Sequence, residues 1–317
     1  MLSLTKENKD DKPLISLYKQ EDFNFDYKLN PNIEKEEKIL YYNNNNDYNI
    51  SIDSDNDNED DNNYLFIDDL KINNIQYIPY PYFEKNFFIK FLICGSSGAG
   101  KTTLSANLIK MMLNKLDNNM FVIYYTPNIV DYPLQKYFKK IFNGNCLFIT
   151  PDVIKKTIEH NVKSKKKIKL LFNLEDLHNL QKIKNQPILC VYDDIEGTPN
   201  NEIKQLYIKS QKEVLVMGRG RNNTQKNISC IVINHKPLQG NSTSDVFNEA
   251  NYICLHIKSI SSYHLEEILK NKIGYDENII KQILKLKKKN AGMCIFSKTY
   301  PYHILIHGEN PGVILQT

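Results

Sequence analysis

Gly95, Ser96, Ser97, Gly98, Ala99, Gly100, Lys101, Thr102 and Thr103 follow one another in the pattern G-x-x-x-x-G-K-[ST]. Residues of these types at this spacing can cradle a phosphate chain. Several consecutive backbone N–H groups must point at the same phosphates, and a backbone wraps that closely only where glycine removes the Cβ. Lys101 then reaches the β- and γ-phosphates as a point charge, and the Thr102 hydroxyl ligates Mg²⁺. The flanking residues suit this chemistry. The apolar run 87–94 reads as a buried strand, and residues 102–112 read as a helix whose N-terminus faces the phosphates. The expected ligands are ATP and Mg²⁺.

A second constellation stands at Ile188-Leu189-Cys190-Val191-Tyr192-Asp193-Asp194, a largely apolar run ending in two carboxylates. A buried strand delivers an acid to a nucleotide-bound metal only at its C-terminal end. Asp193 is therefore the expected metal ligand, and Asp194 the candidate for orienting and deprotonating an attacking water, with Glu196 in reserve. The plainer alternative is a carboxylate pair that caps a turn. Ile228-Ser229-Cys230-Ile231-Val232-Ile233-Asn234-His235 is another buried strand with a polar end. Asn234 both donates and accepts, which suits a γ-phosphate sensor, and His235 can assist; the same two residues could equally open the Lys236-Pro237 turn.

Between these strands lie Arg219 and Arg221, the only two arginines in a chain with 39 lysines. Where lysine is so favoured, arginine persists where planar, bidentate contact with phosphate oxygens is needed, as in an arginine finger. A DNA-phosphate contact and a solvated glycine-flanked loop are the alternatives.

The elements that must position these groups alternate. Strands are expected at 120–125, 146–150, 251–256, 291–297 and 303–307 besides those named, with helices at 175–183, 202–217, 263–271 and 277–285. Strand–helix alternation implies a mostly parallel central sheet flanked by helices, an α/β fold. Residues 1–74 form an expected acidic, Asn-rich, disordered leader, and 75–317 the ATPase domain. The leader's Asp53-x-Asp55-x-Asp57 spacing lacks the glycine and the bidentate Glu of a calcium loop, having Asn58 and Tyr64 in those places. Leu14-Ile15-Ser16-Leu17-Tyr18 reads as an apolar patch in that tail, with a docking segment as the sharper alternative.

The formal net charge of +4 hides an asymmetry: residues 1–86 carry 9 lysines against 19 acids, a net of −10, and the remainder carries 32 basic against 18 acidic residues, a net of +14. A basic core behind an acidic leader suits a polyanionic partner. No apolar run approaches the ~20 residues a membrane span needs, and residues 1–12 lack the apolar stretch of a signal peptide. A soluble protein is expected. The six cysteines sit singly in apolar runs with no C-x-x-C pair, which suits buried free thiols.

The order of these motifs resembles the DNA-packaging ATPases of nucleocytoplasmic large DNA viruses, the poxvirus-type branch of the FtsK–HerA P-loop superfamily. The resemblance spans residues 83–313. It is carried by the loop 95–103, by Asp193-Asp194, by Gly218-Arg219 before a strand, by Asn234-His235, by Asn248-Glu249-Ala250-Asn251 and by Tyr300-Pro301. It implies a P-loop NTPase of the additional-strand type that forms a homo-oligomeric ring, hydrolyses ATP and drives double-stranded DNA into a capsid. Capsid or portal proteins would be its partners, and a virion or cytoplasmic viral factory its location. The family's Arg-His is replaced by Arg219-Gly220 and Arg221-Asn222, which leaves open which arginine is the finger and whether it acts on a neighbour. A nucleotide-dependent scaffold that recruits capsid proteins, and a nucleoside or polynucleotide kinase, are the competing functions.

Overall fold

The computed structural model describes residues 2–3, 12–19, 38–42, 71–72, 75–82, 88–116, 119–127, 145–164, 168, 170–218, 227–237, 240–288, 291–299, 302–308 and 312–315. Its contacts divide the chain into two compact units, Met1–Phe83 with Tyr275–Thr317, and Glu84–Gly274. The first unit begins with β1 (Leu2–Ser3), β2 (Lys12–Lys19), β3 (Lys38–Tyr42), β4 (Lys71–Ile72) and β5 (Ile75–Pro81). They form a five-stranded antiparallel sheet in the order β1-β3-β2-β5-β4. The cluster at 14–18, expected as a patch in a tail, lies in the central strand of this sheet, with Leu14, Ile15 and Leu17 buried. Its partners come from 20 or more residues downstream, so nothing local announces the pairing. The acidic run 43–70 and its aspartates lie outside the described residues.

The second unit carries six parallel strands: β6 (Lys90–Cys94), β7 (Phe121–Tyr125), β8 (Cys146–Ile149), β9 (Ile188–Asp193), β10 (Ile228–Asn234) and β11 (Tyr252–Leu255). Their spatial order is β11-β6-β10-β9-β7-β8. Every residue of β6, β7, β10 and β11 is buried, as continuous apolar strands covered on both faces require. The covering helices are α1 (Lys101–Lys115), α2 (Pro151–Lys163), α3 (Leu174–Lys184), α4 (Asn201–Met217), α5 (Gly240–Glu249) and α6 (Ser262–Ile268). Four of them start on side-chain caps: Thr150, Asn173, Asn200 and Ser261 each accept an N–H from the first turn. Two helices are absent from the sequence expectation. In α2 the signal was present, a Thr150 cap followed by Pro151 at the first helical position. In α5 it was not, because Gly-Asn-Ser-Thr-Ser favours turns over helix.

Buried tyrosines lock helix α4 to the sheet. Tyr125 and Tyr192 stack with ring centroids 4.7 Å apart, and Tyr207 of α4 meets Tyr125 edge-on. The Tyr207 hydroxyl, with one proton to share, faces the carbonyls of Ile149 at 3.0 Å and Thr126 at 3.3 Å, so this buried group is not left unpaired. All six cysteines are free and five are buried, as expected.

The remainder of the first unit is α7 (Glu277–Lys288) and an antiparallel run of β12 (Ala291–Ser297), β13 (His303–Gly308) and β14 (Gly312–Leu315). The Asp276 carboxylate accepts the N–H groups of Asn278 and Ile279 and so starts α7. His307 of β13 packs edge-on against Tyr80 of β5 at 5.1 Å. This contact joins the two ends of the chain in one unit, where composition alone draws a single boundary near residue 74. No described helix is long and apolar enough to cross a membrane.

Candidate active site

The strands of the second unit run parallel, so their C-terminal ends gather on one edge, and the polar strand ends gather with them. Strand β10 lies between β6, which leads into the glycine loop, and β9, which ends in Asp193. The loop leaves β6 at Gly95, whose N–H donates to the Asn234 carbonyl at 3.3 Å. A Cβ on Gly95 would lie 2.7 Å from the Cβ of His256, so this position admits only glycine. Gly98 and Gly100 have φ of +75° and +90°, the left-handed conformation that L side chains resist. Ser96 N–H donates to the Ser259 hydroxyl at 3.1 Å, and that hydroxyl donates to the His256 carbonyl at 2.8 Å. The turn after β11 thus braces the loop from outside.

Lys101 opens α1 and is buried. Its ammonium donates to the Gly95 and Ser96 carbonyls, both at 2.7 Å, and lies 3.3 Å from His235 Nδ1. Burial lowers its proton affinity below the ordinary lysine value, while Asp194 and Asp193 work to raise it. His235 Nε2 in turn lies 2.9 Å from Asp194 Oδ2. Asp193 ends β9 half-buried, with Oδ2 accepting the Tyr124 hydroxyl at 2.7 Å. Burial raises the Asp193 carboxyl above the usual carboxylate range; the Tyr124 hydrogen bond pulls it back, and neighbouring Asp194 pushes it up again. Asp194 itself has φ +50°, off the strand, with its N–H held by the Ile233 carbonyl at 2.9 Å.

The sequence-predicted residues Gly95, Lys101, Thr102, Asp193, Asp194 and Asn234 therefore gather on one edge of the sheet. Asn234 is buried, and its carbonyl serves the loop. It is His235 that carries the side-chain contacts to both Lys101 and Asp194. Glu196 lies in the short 3₁₀ turn Ile195–Gly197 after Asp194. Arg219 and Arg221 lie outside the described residues. Their anchors do not: Ile228 N–H donates to the Gly218 carbonyl at 2.9 Å, and Val214 and Ile228 carbonyls leave no room for a Cβ on Gly218. Sequence reasoning missed Tyr124, His256 and Ser259. A polar residue closing an apolar strand was a readable signal for His256; for Tyr124, inside a strand and 69 residues from Asp193, there was none.

The Asn248–Asn251 turn also has a structural task. Lys90 of β6 pairs with Glu249 at 2.8 Å, and the Asn251 side chain accepts Lys90 N–H at 3.1 Å. These bonds fix the start of β11 against β6, and so place His256 beside Gly95.

The fit to Mg²⁺ is good on the donor set. Mg²⁺ takes one or two carboxylates with substrate phosphates and waters rather than an all-protein cage. The described residues hold no cluster of three or more His, Cys, Asp or Glu side chains able to bind a metal; the oxygen donors beside the loop are Asp193 at the end of β9 and Thr102 in the first turn of α1.

No protein-family model matches the chain. It is 25% identical over 240 residues to an uncharacterised protein, V3, of Sputnik virophage, covering 75% of this chain and 81% of that one. Among solved structures, the genome-packaging NTPase B204 of Sulfolobus turreted icosahedral virus 2, in complex with sulfate, is 10% identical. That match covers 69% of this chain and 96% of B204, at a TM-score of 0.42. The pCW3 conjugation coupling protein TcpA is 11% identical, covering 81% of this chain and 66% of TcpA, at a TM-score of 0.38. With a parallel sheet, a glycine loop between β6 and α1, and one strand inserted between that loop's strand and the strand ending in Asp193, the fold is that of a P-loop NTPase of the additional-strand type.

Proposed function

We propose that this protein is an ATP-hydrolysing motor that moves double-stranded DNA, acting in the packaging of a viral genome. The observation that carries the ATPase reading is the convergence of Lys101, Asp193 and Asp194 at the C-terminal ends of parallel strands around a glycine loop. In this reading the loop amides and Lys101 hold the β- and γ-phosphates of ATP. Thr102 and Asp193 hold Mg²⁺, which when bound supplies positive charge against the charge developing on the phosphate oxygens. Asp194 orients the attacking water and takes its proton, and Asn234 senses the γ-phosphate. The net +14 of residues 87–317 favours a polyanionic track, and the virophage relative agrees with a viral setting.

The arginines fit an oligomer. Gly218 and Ile228, which bracket them, stand at the start of β10, whereas Asn234 ends it. Over a seven-residue strand that is about 20 Å. Anchors that far from Asn234 support the reading that the finger acts on an adjoining copy, as in a ring.

Steady-state ATP hydrolysis with and without long duplex DNA, at low and moderate salt, tests the proposal. Stimulation by DNA that fades with salt is expected, because phosphate contacts release counterions. Hydrolysis indifferent to DNA would overturn the motor and favour a nucleotide-dependent scaffold for capsid proteins.

A further inference from the structure

A lysine ammonium has three hydrogens to donate and no lone pair. In Lys101 two go to the Gly95 and Ser96 carbonyls, and the third faces His235 Nδ1 at 3.3 Å. Nδ1 must therefore be the lone-pair nitrogen of the ring. The imidazole proton then sits on Nε2, the atom 2.9 Å from Asp194 Oδ2. The direction of every bond in the series follows: Lys101 donates to His235, and His235 donates to Asp194. A ring with both nitrogens protonated would point N–H against the ammonium.

The backbone around Asp194 is fixed on both sides. Its N–H is held by Ile233 at 2.9 Å and its carbonyl accepts Gly197 N–H at 3.0 Å, while φ is +50°. What remains to set the carboxylate is its side-chain rotation, and the contact to His235 sets that. His235 follows β10, the strand inserted between the Lys101 and Asp193 strands, which places the ring between the two groups it touches.

We infer that His235 is a positioning residue that couples the state of Lys101 to the orientation of Asp194. This rests on the ATPase reading above. A phosphate that engages Lys101 needs at least one of its three N–H groups, and the contact given up first is the longest, that to His235 at 3.3 Å against 2.7 Å for each carbonyl. Nδ1 then loses its donor and presents a lone pair toward an anion. The ring is driven off, and the Asp194 carboxylate, held through Nε2–H, is released toward the water it must orient. Before nucleotide arrives the same bonds keep the carboxylate parked and the lysine occupied. Site assembly and phosphate arrival become one event, which protects against idle proton chemistry and makes nucleotide binding compete with an internal network.

The test uses the full chain with His235→Ala and His235→Gln. Glutamine offers a carbonyl oxygen to Lys101 and an amide donor to Asp194, the same pattern as the Nε2–H ring. The Ala variant is expected to bind ATPγS at least as tightly as the parent, with kcat lowered about 10²-fold, the scale of a misplaced general base, and KM not raised. The Gln variant should recover most of that loss. Parent-like kcat in the Ala variant overturns the inference. So does an equal loss in both variants accompanied by weakened nucleotide binding, the pattern of a merely damaged site. If the unsubstituted chain itself hydrolyses no ATP, the ATPase reading has failed, and the inference is decided by ¹⁵N resonances of His235. Free protein should show a bare Nδ1 and a protonated Nε2, and ATPγS should shift the Nδ1 signal. An Nδ1 signal unmoved by ATPγS, through absent binding or an unaltered ring, overturns it.

Discussion

The three glycines of the loop are glycine for different reasons. Gly98 and Gly100 answer to backbone conformation, with positive φ and open space where a Cβ would point at Gly98. Gly95 answers to His256, whose own Cβ stands 2.7 Å from the added atom and cannot rotate away. Gly98→Ala should therefore cost about 1 kcal/mol, the strain of a left-handed alanine. Gly95→Ala should cost about 1–3 kcal/mol by forcing backbone shifts, and should also weaken nucleotide binding. Chemical denaturation of both variants checks the order. Adding His256→Gly to Gly95→Ala should restore stability, whereas adding His256→Ala should not, since alanine keeps the offending Cβ. The sequence motif names all three glycines and distinguishes none of them, because the atom that constrains Gly95 lies 161 residues away.

At the scale of elements, the turn after β11 is the part of the site that sequence did not reveal. His256 is buried, its Nε2 has no hydrogen-bond partner among the described residues, and burial with the nearby Lys101 charge lowers it from 6.5 to about 4. The folded state thus binds this proton more weakly than the unfolded state. The histidine's contribution to stability is complete above about pH 6.5, falls as pH drops, and is gone below about pH 4. By pH 5 the loss attributable to this group is about 2 kcal/mol. Urea unfolding at pH 7 and pH 5 should show that difference, and His256→Gln should remove it from the pH dependence. An identical pH slope in the Gln variant would mean that other groups carry the acid sensitivity. Within the second unit the strands were the most legible elements, since all six are short apolar runs with polar ends alternating with helical segments, whereas the run at 14–18 had no such context. Helix α5 was the least legible, because its first turns are built from turn-favouring residues that only the sheet beneath makes helical.

For the whole molecule, the arrangement of the arginine anchors makes a prediction about assembly. If Arg219 or Arg221 completes a neighbour's site, a chain with Lys101→Ala and a chain with both Arg219→Ala and Arg221→Ala should each be inactive alone. Mixed in equal amounts, they should regain hydrolysis, since about a quarter of the interfaces in a randomly assembled heterologous ring join an intact lysine to an intact arginine. Absence of recovery, with mixing shown by exchange of labelled subunits, would place the arginines in their own chain's site or on DNA. The same scale shows what composition concealed at the N-terminus. Leu14, Ile15 and Leu17 form a short apolar run in a polar, acidic stretch, yet they are core residues of a sheet whose other strands include β5.

By itself the sequence determined the chemistry on offer: a phosphate loop with Lys101 and Thr102, a strand ending in two carboxylates, a polar strand end at Asn234, and the alternation that implies a parallel sheet. Those features are local, written in neighbouring residues, and local spacing survives in a one-dimensional reading. Only the tertiary structure decided how they meet. It placed β10 between the other two strands, gave the contact role to His235 beside Asn234, set Tyr124 on Asp193, and put His256 against Gly95. Each of those decisions joins residues 40 to 161 positions apart, and the cause is the burial of flat, fully apolar strands whose lateral order no single strand encodes.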